Sequence, residues 1–303
     1  MELRRFRGCM LGAAVGDALG APLEAMSRRQ IQDTFNGTVN RYVSSARHPR
    51  LSLGQWTDDT ALSLATGEIL ISKGEVNINE IGFAMRMAFT LESFRGYGLT
   101  TRKAFNDTNH KGRGIRPSNG AAMRIAPVAL FSCHDLDSLA SNVINVSRIT
   151  HPHPDSIDGA LAVAFAVATA ARGELETNGL IEQTIEFLGP QSEMGYKLRE
   201  VDDLLQADIS TSHGLEHIGT RGYALETVGS AFFAFLKSPE SFYNSIVEVI
   251  NAGGDTDTIG SITGAISGTF NGVEAIPRKW LSNLEQRNVI DEVSQRLFRV
   301  VTA

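Results

Sequence analysis

The sequence has little cysteine, no excess of basic charge, no linker and no long apolar run. Its two cysteines, Cys9 and Cys133, lie far apart in apolar or small-residue stretches. That excludes a disulfide framework and reads as reduced thiols in a cytoplasmic protein. Against 34 Asp plus Glu there are only 28 Lys plus Arg, a formal net charge of −6. Bulk electrostatic binding of nucleic acid is excluded, because phosphate neutralisation needs a basic surface. No Pro/Ser-rich linker and no low-complexity tract marks a boundary, so one domain over residues 1–303 is expected. No apolar stretch reaches the roughly 18–20 residues of a membrane span, so no membrane partner is expected. The longest, 160–171, has Thr169 as its one polar residue and reads as a helix buried on all sides. Strand-like alternation is scarce, and no repeat of fixed period suggests a solenoid.

What is present is 42% hydrophobic and 20% charged residues over 303 positions, enough for a large globular core. Arg4, Arg5 and Arg7 before the apolar residues 9–15 imitate a secretory leader, but Asp17 interrupts the imitation. Gly12, Gly16 and Gly20 recur at every fourth position instead, which lines one face of a first helix and allows close packing. Ala-rich and Leu-rich segments with apolar residues three and four apart predict helices over 4–19, 60–72, 79–92, 119–129, 137–150, 155–172, 225–236, 241–251, 256–269 and 281–300. The fold class is therefore all-α. Gly-rich loops at 95–98 and 111–114 interrupt the pattern, and such loops on a helical scaffold tend to carry binding groups.

Two acidic clusters carry the chemistry. Trp56-Thr57-Asp58-Asp59-Thr60 precedes a helical run, and Gly253-Gly254-Asp255-Thr256-Asp257-Thr258-Ile259-Gly260 sits at a second loop-to-helix junction. A helix start needs one cap, so a second carboxylate in each cluster calls for another explanation, which a divalent cation supplies. Thr57, Asp58, Asp59, Asp255, Asp257 and Thr258 form an all-oxygen set suited to hard cations such as Mg2+ or Mn2+. A calcium loop starting at Asp255 fails, since its fifth and twelfth positions are Ile259 and Ile266. Pro22 would disrupt a helix interior, so the first helix should end near Gly20 and leave Glu24 in the following loop. No P-loop is present, and the GxxxGxxxG spacing misses the dinucleotide-binding fingerprint.

These elements, in this order, resemble the ADP-ribosylglycohydrolase family, which includes hydrolases of ADP-ribosylated dinitrogenase reductase, arginine and serine. The resemblance covers residues 8–24, 56–60, 117–124, 151–154 and 253–260. It implies an orthogonal helical bundle with two Mg2+ or Mn2+ ions held by Thr57, Asp58, Asp59, Asp255, Asp257 and Thr258. Glu24, Asp58 and Asp257 become the candidate catalytic groups. The implied reaction is cleavage at the anomeric carbon of an ADP-ribosyl group on a protein or small molecule. A non-catalytic member that binds ADP-ribose or an ADP-ribosylating partner is the alternative. One branch of the family is thought to use an aspartate in the loop at 94–101; this chain has no carboxylate there, which counts against transferring that branch's arginine specificity.

For the diphosphate, Gly96, Tyr97 and Gly98 offer backbone N–H groups, and Ser118, Asn119 and Gly120 sit at a predicted helix start suited to an anion. Capping by Ser118 or Asn119, and packing by Tyr97, are equally open readings. Lys111, Arg113 and Arg116 form a basic stretch that could steer a nucleotide or simply stay solvated. One proline separates His151 from His153, with no cysteine or third histidine nearby, which argues against zinc. The resemblance places His151 near the substrate phosphates or ribose.

Overall fold

The small residues of the first helix choose its partner. The structure, a computed structural model, describes residues 1–44, 48–106 and 116–303. Its described residues form α1 (Leu3–Gly20), α2 (Arg28–Phe35), α3 (Asp58–Lys73), α4 (Ile78–Leu91), α5 (Leu99–Asn106), α6 (Ala126–Phe131), α7 (Leu136–Ser147) and α8 (Pro154–Arg172). There follow α9 (Leu180–Leu188), α10 (Glu193–Gln206), α11 (Thr211–Ile218), α12 (Ala224–Lys237), α13 (Phe242–Ile250), α14 (Thr256–Asn271), α15 (Arg278–Ser282) and α16 (Arg287–Thr302). The only extended pairings among these residues are two isolated bridges, Ser27 with Gly253 and Ser118 with Tyr223.

α1 and α14 run antiparallel in backbone contact. A Cβ on Gly8, Gly12, Gly16 or Gly20 would stand 1.9–2.3 Å from the carbonyl oxygen of Gly268, Gly264, Gly260 or Thr256 in turn. The close packing expected of the first helix is therefore real, and its partner carries matching glycines. Such an approach lets Cα–H groups meet carbonyls across the pair. It also fixes the C-terminal end of α1 beside the N-terminal end of α14, and the start of α3 joins them there.

The arginines that imitate a leader have a structural task. Arg5 donates to the carbonyls of Ala170 and Phe270, both at 3.0 Å, and so places its positive charge at the C-terminal ends of α8 and α14. Arg7 reaches Asp291 on α16 at 2.6 and 3.0 Å. Cys9 and Cys133 are buried and unpaired with each other.

The structure departs from the expected elements in three ways. The helix expected over 119–129 is broken into a 3-10 turn at Ala122–Arg124 and the short α6. Pro127, which has no N–H to give, sits at the start of the new helix. The last expected helix begins at Arg287, after the separate turn α15. Helices α2, α5, α9, α10 and α11 were not expected. α8 is buried as anticipated, yet at 19 residues with mean hydropathy 1.2 it is long and apolar enough to cross a bilayer, and 78% of that window lies inside the protein. Counting uninterrupted apolar residues misses this, because the helix also takes in the polar turn at its start.

Candidate active site

Glu24 is placed by the way α1 stops. Ala21–Leu23 tightens into a 3-10 turn with Pro22 in it, and Glu24 then leaves helical geometry. Ala25 follows in the left-handed region at φ +64, which costs an L-residue roughly 1–2 kcal/mol. Two bonds hold it there: Ala25 N–H donates to the Gly254 carbonyl at 2.7 Å, and Gly254 N–H donates to the Met26 carbonyl at 2.9 Å. The loop bearing Glu24 is thus tied to the glycine turn that bears Asp255.

The start of α3 is held from outside. Asp17, fully buried on α1, accepts the N–H and O–H of Thr57, both at 2.9 Å, and the N–H and O–H of Thr60 at 3.1 and 2.6 Å. One carboxylate caps a helix that is 40 residues away in sequence. Arg95 does the same work from the other side. Its carbonyl accepts the Asp58 N–H at 2.9 Å. Its guanidinium lies 3.5 Å from the centre of the Trp56 ring and donates to the Trp56 carbonyl, Glu92 and Glu285.

These supports bring Glu24, Asp58, Asp59, Asp255, Asp257 and Thr258 onto one cavity of about 190 Å³. Gly96, Gly98, Ser118, Asn119, Gly120 and His151 complete its wall, together with Leu99, Thr100, Thr101, Met123 and Gly222, which sequence reasoning did not single out. Two expected residues are absent from that wall. Thr57 is fully buried and held by Asp17. Tyr97 turns its ring edge-on against Phe89, so packing is its side chain's task. Asn119 lines the cavity, but its amide donates to Asp255 at 2.9 Å and to Thr227 at 3.0 Å, and no α-helix starts there to receive an anion. Lys111 and Arg113 lie outside the described residues, and Arg116 is exposed. His153 caps α8, accepting the Asp155 N–H at Nδ1, while His151 serves the cavity.

The charges are crowded. Burial, then the neighbouring carboxylates, push Asp58 up to about 8. The same causes hold Asp59 and Asp257 well above the ordinary carboxylate range. Asp59 Oδ2 is buried with no hydrogen-bond partner. Several buried carboxylates and an orphan acceptor are costly unless cations neutralise them, so the donor set fits divalent ions.

Two features escaped sequence reasoning. Arg124 is fully buried; it donates from Nη2 to Thr150 Oγ1 at 2.6 Å, and burial lowers it to about 10. Thr150 Oγ1 lies 2.7 Å from His151 Nδ1. A hydroxyl carries one proton and two lone pairs, so Thr150, while accepting from Arg124, can either donate to Nδ1 or accept from it. His151 is held well below its ordinary range by burial and by Arg124, so its ring is neutral. The second feature is His48, whose Nε2 stands 2.5 Å from Glu24 Oε2. Among the described residues, the ligand atoms of Glu24, His48 and Asp257 lie within 4.8 Å of one another.

Comparison with known proteins follows the same line. The chain is 30% identical to ADP-ribosylhydrolase ARH3 of Bos taurus, over 99% of this chain and 93% of the relative. It is 30% identical to the ADP-ribosyl-(dinitrogen reductase) glycohydrolase of Rhodospirillum rubrum, over 93% of this chain and 91% of that one. ADP-ribosylarginine hydrolase Tri1 of Pseudomonas putida matches at 28%, covering 98% of this chain and 78% of the relative. A solved structure described as an ADP-ribosylglycohydrolase-related protein complex superposes with a TM-score of 0.76 at 26% identity, over 99% and 98% of the two chains. The family model for ADP-ribosylglycohydrolase matches residues 2–303, and the chain belongs to that family.

Proposed function

We propose that this protein is a metal-dependent hydrolase that cleaves the glycosidic bond at the anomeric carbon of ADP-ribose attached to a protein side chain or another acceptor. The observation that carries this reading is the meeting of Glu24, Asp58, Asp59, Asp255 and Asp257, from three distant segments, on one cavity. Names of relatives that are ADP-ribosylhydrolases support it.

Asp58, Asp59, Asp255, Asp257 and Thr258, which line the cavity, would hold two Mg2+ or Mn2+ ions, and Thr57, whose hydroxyl gives its proton to Asp17, keeps oxygen lone pairs for them from behind the wall. When bound, such ions polarise oxygen atoms, orient a sugar's hydroxyl groups and lower the pKa of water. The protein's own groups do the rest. Carboxylates around the anomeric carbon favour the positive charge of an oxocarbenium-like transition state. Glu24, with its side chain 23% exposed at the cavity, accepts a proton from the attacking water or passes one to the leaving group. His151, in the tautomer that keeps its hydrogen on Nε2, and the backbone N–H groups of Gly96, Gly98 and Gly120 would offer donors to an anionic diphosphate.

The test is release of ADP-ribose from arginine-, serine- and nucleobase-linked substrates, with Mg2+, with Mn2+ and with chelator. Metal-dependent release is expected from at least one linkage. Glu24→Gln should lower turnover by about a hundred- to ten-thousand-fold. Tight binding of ADP-ribose with no release from any linkage would point to a binding module instead.

A further inference from the structure

His48 lies in the segment between α2 and α3, outside every motif that identifies the family. Its ring is nonetheless largely buried. The side chain is 10% exposed. It lies against Gly96, where a Cβ would come 2.8 Å from His48 Cε1, and Gly96 itself has φ +92. A glycine is required there both for the backbone conformation and for the space the imidazole fills. That packing aims Nε2 at Glu24 Oε2, 2.5 Å away, and within 4.8 Å of a carboxylate oxygen of Asp257.

We infer that His48 supplies an imidazole nitrogen to the metal site, alongside Glu24 and Asp257, and thereby tilts the site from Mg2+ towards Mn2+ and the later transition ions. The inference rests on the metal site of the proposed function. Ligand atoms on one ion, at bonds of roughly 2.1–2.3 Å, stand about 3.0–4.6 Å apart. Glu24, His48 and Asp257 offer three such atoms within 4.8 Å of one another, and small side-chain shifts that part the 2.5 Å contact of Nε2 with Oε2 would seat a single ion. Uptake of an ion would exchange the contact between Nε2 and Glu24 Oε2 for a bond from each of these atoms to the metal. Magnesium prefers oxygen donors, whereas imidazole nitrogen raises affinity along the transition series. The six motif residues all offer oxygen; His48 is the one nitrogen donor beside them in the Glu24 and Asp257 group.

Metal-stripped protein loaded with one and with two equivalents of Mn2+ tests this by pulsed electron paramagnetic resonance. Modulation from 14N is expected in the unmodified protein, and it should convert to 15N modulation after 15N-histidine labelling, a control that needs no substitution. His48→Gln should abolish it, and His151→Gln should keep it. Equilibrium dialysis should show the Mn2+ to Mg2+ affinity ratio falling about ten- to a hundred-fold in His48→Gln, the range seen when groups that support metal ligands are removed. Bound Mn2+ without nitrogen modulation, or modulation that survives His48→Gln, overturns the inference and leaves an all-oxygen site. Failure of the unmodified protein to bind either ion overturns the proposed metal site along with it.

Discussion

Asp17 shows a buried charge put to structural use. Its two oxygens collect the N–H and O–H groups of Thr57 and Thr60, and through them set where Asp58 and Asp59 stand. Asp17→Asn keeps the shape but loses the charge and one acceptor. Stability should fall by about 1.5–3 kcal/mol, the worth of a hydrogen bond to a charged group, as read from urea unfolding. Metal affinity should fall with it, and a variant that keeps wild-type affinity would show that Asp17 does not position the pair. The pH response of the site has a definite sign. With Asp58 raised to about 8 and Asp59 and Asp257 held well above the ordinary carboxylate range, cations would have to displace protons near neutrality. Metal affinity should therefore weaken as pH falls below about 8, and calorimetry in buffers of different ionisation heats should show proton release at pH 7 that shrinks by pH 9. His151 is shifted downwards rather than upwards, yet its contribution is also lost in acid. Its folded form resists protonation while the unfolded chain takes a proton below about 6.5, so the stability from its neutral burial is present above that pH and lost below it. The gap in unfolding free energy between the native protein and His151→Gln should narrow from pH 8 to pH 5. Such residues differ in how visible they are in sequence. Asp58, Asp59, Asp255 and Asp257 are legible because their partners are adjacent. Asp17 and Arg95 act on groups 40 and 190 positions away, and His48 owes its place to Gly96 and Glu24, so no local pattern announces any of them.

Among the helices, the pair α1 and α14 decides most. A methyl group on Gly16 would sit 1.9 Å from the Gly260 carbonyl oxygen, and backbone cannot yield as a side chain can. Gly16→Ala should cost about 3 kcal/mol or more, at or beyond the upper end for an overpacked core, and turnover should fall further because Glu24 and Asp257 ride on the two displaced ends. Gly82→Ala is the matched control. It lies within α4 and meets Ile149 Cγ2 at an ordinary 3.5 Å, so it should be neutral or stabilise by up to about 1 kcal/mol. Thermal and urea unfolding of both variants checks the contrast. Long helices rich in apolar and small residues, such as α3, α8, α12 and α14, were readable in advance. The short α2, α5 and α11, eight residues each, hold too few turns to show a period, and Gly195 and Gly214 blur α10 and α11. In these, tertiary burial of one face decides what propensity leaves open.

For the molecule as a whole, the cations of the proposed function would join segments from near both ends of the chain. Saturating Mg2+ or Mn2+ at a hundred times its dissociation constant should add about 2.7 kcal/mol, so chelator should lower the melting temperature measurably, and equal melting with and without chelator would contradict the proposed site. The glycine contact between α1 and α14 has a further consequence, and it concerns time. It joins residue 8 to residue 268, so nearly the whole chain must be threaded into one loop before the contact repays the entropy of closing it. Local helices will form early, and the cavity must wait for this closure. In refolding, uptake of Mn2+ should lag well behind the recovery of helical circular dichroism, and a metal-loaded chain is one that has already finished folding.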